Sequence, residues 1–218
     1  KVINYTKNGS KKGLNYSENI LGHCGIDMYS MDRNLESYVK KYEGFLDKKL
    51  CEITVNELDK CHFEQHKYHN PLTGHAGPKN GDKELDISYE NISTKEIIMK
   101  KIWDALYKYI SEFNHEWFTG WSGYQQVRFN RYQKDKIMSD HADHIHSLFD
   151  GTRKGIPILT VLGCLNDDYE GGEFIMWGDK QIEMKAGDVL VFPSVFLYPH
   201  RVDPVKSGTR YTFVSWCW

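Results

Sequence analysis

Long apolar runs are missing from this 218-residue sequence. No stretch approaches the roughly 20 apolar residues of a membrane-spanning helix, so we expect no membrane partner. A dominant charge is missing as well, because 28 Lys and Arg stand against 30 Asp and Glu, for a net charge of −2. Without a basic excess to attract phosphates, nucleic acid is not expected as the main partner.

A regular cysteine pattern is also missing. The five cysteines are odd in number and unevenly spaced: Cys24, Cys51, Cys61, Cys164 and Cys217. Such a set argues against a disulfide framework and favours a reducing compartment. We therefore expect a cytoplasmic protein, or one of the host cytoplasm if the chain is viral.

The length and the 14% aromatic content favour one domain with a β-rich body. Residues 1–30 are rich in Asn, Gly, Ser and Lys without periodicity, and we expect an irregular arm there. Residues 31–218 should form a single domain. Within it, residues 31–120 supply helical support and a loop, and residues 121–218 supply the β core.

Two helices are predicted. The first covers Phe45–Leu58, with Leu46, Leu50, Ile53 and Leu58 on one side. The second follows a capping-box pattern at residues 93–96 and continues to Phe113. Its apolar residues recur at helical spacing, which indicates packing against a sheet.

Eight short strands are predicted after the helices, separated by turn signals such as Asn166-Asp167 and Gly187-Asp188. The fold class is therefore α+β, mainly β, with a jelly roll buttressed by the N-terminal helices. The predicted strands are Gln126–Tyr132, Ile137–His141, Ile156–Leu165, Glu173–Met176, Gln181–Met184, Val189–Phe192, Leu197–Val202 and Arg210–Trp216.

The segment from His66 to Tyr89 is punctuated by Asn-Pro, Gly-Pro and Asn-Gly pairs, with a short strand predicted at Glu84–Tyr89. Long loops in compact domains are typically functional. We predict that this segment folds over the functional end of the barrel as a lid, together with the loop at His144–Gly155. The alternative is a surface loop packed under the second helix.

A candidate metal site lies in the last third of the chain, at His141, Asp143 and His200. Residues i and i+2 of a strand point the same way, so His141 and Asp143 can reach one ion from a strand end. Two imidazoles and one carboxylate hold non-haem Fe(II) on one face and leave the other face open. Each residue taken alone also fits an ordinary surface or ion-pair role, so the prediction depends on their combination.

Arg210 is the candidate anchor for a dicarboxylate cosubstrate, because its planar fork grips a carboxylate in two places. Trp216 has the same strand parity and is expected to face the same cavity. The Tyr132 hydroxyl is expected to reach the same ligand.

These segments resemble the prolyl 4-hydroxylase group of Fe(II)- and 2-oxoglutarate-dependent oxygenases. The similarity covers roughly residues 121–218 in family order. The matching segments are Arg131-Tyr132, His141-Ala142-Asp143, residues 160–166, Glu170-Gly171-Gly172-Glu173-Phe174, residues 186–192, His200-Arg201-Val202 and residues 208–216.

The resemblance implies a double-stranded β-helix, Fe(II) held by His141, Asp143 and His200, and 2-oxoglutarate held by Arg210. Tyr132, Trp216 and Thr160 are expected to bind 2-oxoglutarate as well. O2 is then the second cosubstrate, and ascorbate an optional supporting reductant. The reaction implied is hydroxylation of an unactivated C–H with release of succinate and CO2.

The substrate stays open. The resemblance favours a prolyl residue of a protein or peptide, and a free amino acid or other small molecule is the alternative. A jelly-roll binding module without catalysis is a third reading, which the intact residue set opposes. The chain departs from the family pattern at Met138 and Cys164, where relatives often carry Tyr, and in the loop Gln133-Lys134-Asp135.

Two further clusters contain residue types that bind metals or substrates. Cys61, His62, His66 and His69 resemble a metal cluster but lack zinc-finger spacing, so a solvated loop edge is predicted. His144, His146, Arg153 and Lys154 follow the iron motif and fit either substrate contact or a solvated surface.

Overall fold

A computed structural model of the chain describes residues 34–69, 76–113, 123–143 and 157–217. From Leu35 onward these residues belong to one compact unit. The predicted arm at residues 1–30 lies outside the described residues. No helix among the described residues is long and apolar enough to cross a membrane.

The described residues form two α-helices, two short 3-10 helices and fifteen strands. The helices are α1 (Lys48–Leu58) and α2 (Lys95–Phe113), and the 3-10 helices are Leu35–Tyr38 and Gly81–Lys83. The strands are β1 (Lys40–Tyr42), β2 (Glu64–Gln65), β3 (Tyr68–His69), β4 (Ala76–Gly77), β5 (Asp86–Ser88), β6 (Arg128–Tyr132), β7 (Met138–His141), β8 (Leu159–Cys164), β9 (Glu170–Gly171), β10 (Phe174–Met176), β11 (Lys180–Ile182), β12 (Val189–Pro193), β13 (His200–Val202), β14 (Val205–Ser207) and β15 (Arg210–Cys217).

Two larger sheets form the described part of the barrel. The major sheet has seven strands in the order β1-β12-β8-β15-β6-β5-β2, and the minor sheet has four in the order β11-β10-β13-β7. Every pairing within these two sheets is antiparallel. The mainly β jelly-roll class is thereby confirmed, and all eight predicted strands are present with ends shifted by a few residues.

The central strands of the major sheet are buried on both faces. In β12, Val189 and Val191 belong to the core shared with the helices, whereas Leu190 and Phe192 belong to the core between the sheets. This alternation follows from the two-residue period of a strand. It explains why β12 and β8 read as continuous apolar runs, as strands covered on both faces do.

Helix α1 begins three residues later than predicted, because Asp47 caps it by accepting a hydrogen bond from the Leu50 amide at 2.8 Å. Leu50, Thr54 and Leu58 follow one another at spacings of four on the buried face. The prediction that Ile53 shares this face is wrong, since Ile53 is 39% exposed.

Helix α2 is close to its prediction, and Ile98, Ile102, Ala105 and Leu106 are buried. The residues of the predicted capping box make a different contact. The Ser93 amide donates to Glu57 Oε2 at 2.7 Å, and the Ser93 hydroxyl donates to the other oxygen of the same carboxylate. A carboxylate from α1 thus receives the hydrogen bonds of Ser93 and ties the two helices together.

Six short strands were not predicted: β1, β2, β3, β4, β9 and β14. Each has only two or three residues, which is too short to display a two-residue alternation. Four of them pair with partners distant in sequence, β1 with β12, β2 with β5 and β9 with β14, whereas β3 and β4 pair with each other.

Gly163 in β8 provides a test of the packing between α2 and the major sheet. A Cβ atom at this position would lie 2.1 Å from the ring of Phe213. Gly163→Ala should therefore lower the free energy of unfolding by about 1–3 kcal/mol through overpacking. Urea unfolding measures the change. Gly77→Ala in β4, where no atom lies within 4 Å of the added Cβ, is the matched control; equal losses in the two variants would contradict this account.

Candidate functional site

The predicted metal ligands converge where β7 and β13 pair. His141 ends β7, Asp143 follows two residues later, and His200 opens β13 directly opposite His141. Asp143 Oδ1 lies 3.3 Å from His141 Nε2 and 3.7 Å from His200 Nε2. One ligand atom from each residue lies within 4.8 Å of those of the others. The structure thus brings together the three residues that the sequence singled out.

Both imidazoles are held by backbone carbonyls. His141 Nδ1 is 2.8 Å from the Ser139 carbonyl, and His200 Nδ1 is 3.1 Å from the Tyr198 carbonyl. A carbonyl oxygen only accepts, so each Nδ1 carries the proton and donates it. The other nitrogen of each ring, Nε2, is the one that faces Asp143. Burial, followed by the charge of His141, lowers the pKa of His200 to about 4, which keeps that ring neutral at pH 7.

Asp143 is 3% exposed and is fixed by a hydroxyl. The Thr160 hydroxyl donates to Asp143 Oδ2 at 2.6 Å and lies 2.8 Å from Ser194 Oγ. Burial alone would raise the pKa of Asp143, but His200, His141 and the Thr160 hydrogen bond outweigh it and lower the pKa. The carboxylate is therefore ionised at neutral pH, with Oδ1 free to bind a cation.

Arg210 opens β15 and is 1% exposed. Its Nε donates to the Tyr169 hydroxyl at 3.2 Å, and its guanidinium lies 5.0 Å from the centre of the Tyr132 ring. Its Nη1 is buried and has no hydrogen-bond partner among the described residues. A buried donor without a partner is costly, so this atom is suited to an acceptor that a ligand brings.

Gly172 lets Arg210 take this position. It has φ of +66°, and a Cβ there would lie 3.0 Å from Arg210 Cδ. A larger residue at position 172 would therefore be strained in its backbone and would press on the arginine stem.

One pocket connects the metal ligands with Arg210. Tyr132, Thr160 and Trp216 line it together with His141, Asp143, His200 and Arg210. Trp216 Nε1 is a second buried donor without a partner among the described residues. A pocket lined by three metal ligands and by two residues with unpartnered donors matches a molecule that binds a cation and also presents a carboxylate.

The structure adds residues that the sequence did not single out. Tyr169 contacts Arg210, and its hydroxyl lies 4.0 Å from Cys164 Sγ. Position 164 is one of those at which the sequence departs from the family pattern. Arg128 lines the same pocket and is 6% exposed. Its strand parity with Tyr132 was the available signal, since residues 128 and 132 of one strand face the same way.

The histidine cluster near α1 was predicted only in part. Helix α1 ends at Leu58, so His62 and His66 do not share a helix face. His62 is exposed, but the prediction of a solvated edge is wrong for His66, which is 5% exposed and packs edge-on against Tyr68.

The described parts of the segment from His66 to Tyr89 lie beside β7. Tyr68 is 5.9 Å from His141, ring centre to ring centre, and the Lys79 ammonium donates to the Asp140 carbonyl at 2.8 Å. The Asn80 amide donates to Ser139 Oγ at 2.6 Å. The segment is thus at the metal end of the barrel, as predicted, and its action as a lid stays a prediction. Residues 70–75 and the loop at 144–155, with His144, His146, Arg153 and Lys154, lie outside the described residues.

Comparison with known sequences points to one superfamily. The family model of the 2OG-Fe(II) oxygenase superfamily matches residues 127–218. A PKHD-type hydroxylase of Delftia acidovorans is 37% identical over 95 residues, which are 41% of this chain and 41% of that protein. A PKHD-type hydroxylase of Idiomarina loihiensis is 36% identical over 94 residues, 42% of this chain and 41% of that protein. The match spans about two fifths of the length of these curated relatives.

Solved structures show the same fold over a longer stretch. The viral collagen prolyl hydroxylase of Paramecium bursaria Chlorella virus-1, in its complex with 2OG, has a TM-score of 0.60 at 19% identity and covers 83% of this chain and 94% of its own. The prolyl hydroxylase of Trichoplax adhaerens, in complex with a hypoxia inducible factor peptide fragment, has a TM-score of 0.62 at 19% identity and covers 83% of each chain.

The resemblance read from the sequence is confirmed by these matches. Residues 127–218 match the 2OG-Fe(II) oxygenase superfamily model, and the solved prolyl hydroxylases have a fold similar to that of the chain. That span contains all three converging metal-ligand residues and Arg210.

The burial of His66 generates a pH prediction. Burial, followed by the charge of Arg128, lowers the pKa of His66 from the ordinary 6.5 to about 3. As the pH falls below 6.5 the unfolded chain takes up a proton at this residue and the folded chain does not, so stability falls. In the metal-free protein, His66→Phe should reduce this slope by up to about 1.4 kcal/mol per pH unit.

Urea unfolding between pH 7 and pH 4 measures the slope. His62→Phe is the matched control, because His62 is exposed. The same slope in His66→Phe as in the unmodified protein would contradict the effect of burial.

Proposed function

We propose that this protein is an Fe(II)- and 2-oxoglutarate-dependent dioxygenase that hydroxylates an unactivated C–H with release of succinate and CO2. The supporting observation is one pocket lined by three converging metal ligands and by Arg210 and Trp216, whose Nη1 and Nε1 donors have no partner among the described residues. A 2-oxo dicarboxylate is the ligand class that uses both a metal and such donors.

His141, Asp143 and His200 are the proposed ligands of the iron. Two imidazoles and one ionised carboxylate on one face suit a divalent redox metal with open positions. When bound, the iron supplies the oxygen chemistry that protein side chains lack. The chain's own residues orient this centre: the Ser139 and Tyr198 carbonyls fix the two rings, and the Thr160 hydroxyl fixes the carboxylate.

Arg210 is the proposed anchor for the far carboxylate of 2-oxoglutarate. Its burial keeps water from competing, and its planar fork gives a directional grip. Tyr132 and Trp216 line the same pocket and shape it around 2-oxoglutarate. The Trp216 Nε1 is the proposed donor to an acceptor atom of that ligand. We assign Thr160 mainly to positioning Asp143, since its hydroxyl is already engaged there.

A prolyl residue of a protein or peptide is the proposed substrate. The likeness to prolyl hydroxylases supports this choice, and one of those structures carries a peptide fragment. A free amino acid or another small molecule is the alternative. We further propose that residues 31–218 act as a single oxygenase domain, and a cytoplasmic location stays a prediction.

The metal assignment is tested at His200. His200→Ala removes one of the three ligands, and thermal unfolding checks that the variant is folded, since the ring also packs against Phe174 and Phe192. The substitution should abolish succinate formation and weaken binding of Fe(II), or of Mn(II) as its substitute, by at least tenfold. Isothermal titration of Mn(II) and a succinate assay with a peptide panel measure the two effects. Turnover that survives in His200→Ala contradicts the assignment.

The cosubstrate assignment is tested at Arg210. Arg210→Gln should weaken 2-oxoglutarate binding by roughly 2–5 kcal/mol, the range typical for losing one partner of a buried charge pair, and leave Mn(II) affinity within a few-fold. Titration of the Mn(II)-loaded protein with 2-oxoglutarate measures the loss.

Arg201→Gln is the matched control for Arg210→Gln. Arg201 is bonded to Asp203 at 2.7 Å and is absent from the pocket lining. Two further cations, Arg131 and Lys180, pair with Asp86 and Glu36. Unchanged 2-oxoglutarate affinity in Arg210→Gln would show that another cation of the pocket binds the far carboxylate.

A further inference from the structure

Arg128 is a second buried arginine in the pocket that holds the metal ligands. It opens β6, is 6% exposed and lines the pocket with His141, Asp143 and Arg210. Its register partner in the neighbouring strand is Val214. We propose that Arg128 forms a second anion site, which binds a carboxylate of the substrate. This proposal deepens the proposed function and depends on it.

The charges in the pocket leave Arg128 without a counterion. The metal and Arg210 together carry three positive charges. Asp143 and the two carboxylates of 2-oxoglutarate balance them. Arg128 makes no ion pair with any described carboxylate, so its charge remains when metal and cosubstrate are bound. A buried charge without a partner is unfavourable, and an anionic ligand relieves it.

The nearby carboxylates are engaged elsewhere. Asp86 lies 3.3 Å from both the Arg131 and the Lys136 side-chain nitrogens. Glu84 is fully buried and accepts from the Ser139 hydroxyl. Neither forms an ion pair with Arg128, so the described part of the chain offers no carboxylate partner for this guanidinium.

The guanidinium is also held in place. Its centre lies 4.8 Å from the centre of the Trp216 ring, and its Nε donates to Asn130 Oδ1 at 3.0 Å. The Asn130 amide in turn donates to Thr212 Oγ1 at 3.2 Å. With Nε occupied, the two terminal nitrogens have no described hydrogen-bond partner. They form the edge of the fork that matches a carboxylate.

The chemical class of the substrate follows from this arrangement. It carries a carboxylate close to the carbon that is hydroxylated, because metal and Arg128 face one small pocket. Two sources fit that chemistry: the carboxylate of the prolyl residue itself, free or C-terminal, and an acidic side chain beside a prolyl residue in a peptide. A neutral internal prolyl residue alone does not use Arg128.

The test uses the full chain loaded with Mn(II) and 2-oxoglutarate under anaerobic conditions. Isothermal titration compares two matched pairs of probes. The first pair is L-proline and L-prolinamide. The second is an acetylated, amidated Pro-Asp dipeptide and its Pro-Asn counterpart. We expect one acid to bind roughly 10- to 100-fold more tightly than its neutral partner, the range expected for a hydrogen-bonded charge. Preference within the first pair identifies the α-carboxylate as the source, and preference within the second identifies the side chain.

Variants then assign the preference to Arg128. Arg128→Gln should abolish it, and Arg128→Lys should retain a part of it. Arg131→Gln is the matched control, because Arg131 is in the same strand and pairs with Asp86 instead. It should keep the preference of the unmodified protein. Thermal unfolding of each variant confirms that it is folded.

Three results would overturn the proposal. The first is that the unmodified protein shows no preference for either acid, whether or not the probes bind. The second is that the preference survives in Arg128→Gln. The third is that Arg128→Gln loses 2-oxoglutarate affinity tenfold or more, which would make Arg128 a cosubstrate anchor. Failure of the proposed function is a separate result, since it appears as absent binding of Mn(II) or 2-oxoglutarate in the unmodified protein.

Discussion

The antiparallel register between β7 and β13 is the constraint on which the site depends. It sets His200 opposite His141 although nearly sixty positions of sequence separate them. A slip of one residue would turn every side chain of a strand to the opposite face. Val202 of β13 pairs with Met138 of β7, and both are buried in the core between the sheets. The register shifts by one residue between this pair and the His200–His141 pair, so Met138 and His141, three positions apart, both line the pocket. The geometry of the metal ligands is therefore a result of how the apolar core packs.

The pocket also shows how buried charge is organised. Asp143 and Arg210 are almost fully buried, and each is surrounded by groups that favour its charged form. Burial lowers the pKa of Arg210, but the nearby Tyr169 and Tyr132 outweigh that effect and raise it. In a dry pocket such charges interact strongly with any charged ligand. The site is therefore suited to ligands that bring both a metal-binding group and a carboxylate.

The sequence was most informative where spacing determines structure. His141 and Asp143 were found from a two-residue spacing at a strand end, and β12 from a continuous apolar run between turn signals. Residues recruited by long-range contacts left weaker signals. Tyr169 lies in a turn with no periodicity, and the chain alone does not reveal that its hydroxyl reaches Arg210. Arg128 has the right parity, but only the folded structure shows that no carboxylate of the described residues pairs with it. The burial of His66 is not evident from the sequence, because the residue packs against Tyr68 and its amide donates to the carbonyl of Leu85, nineteen positions later.

The carbonyl contacts of His141 and His200 have a consequence for metal capture. In free imidazole the proton exchanges between the two nitrogens, and a ligand must be selected in the correct tautomer. Here the Ser139 and Tyr198 carbonyls retain the proton on Nδ1 before any ion arrives. Both carbonyls belong to residues two positions earlier in the chain, so the orientation is built into the local backbone. An incoming ion consequently meets lone pairs that already point inward, and capture needs little reorganisation of the protein.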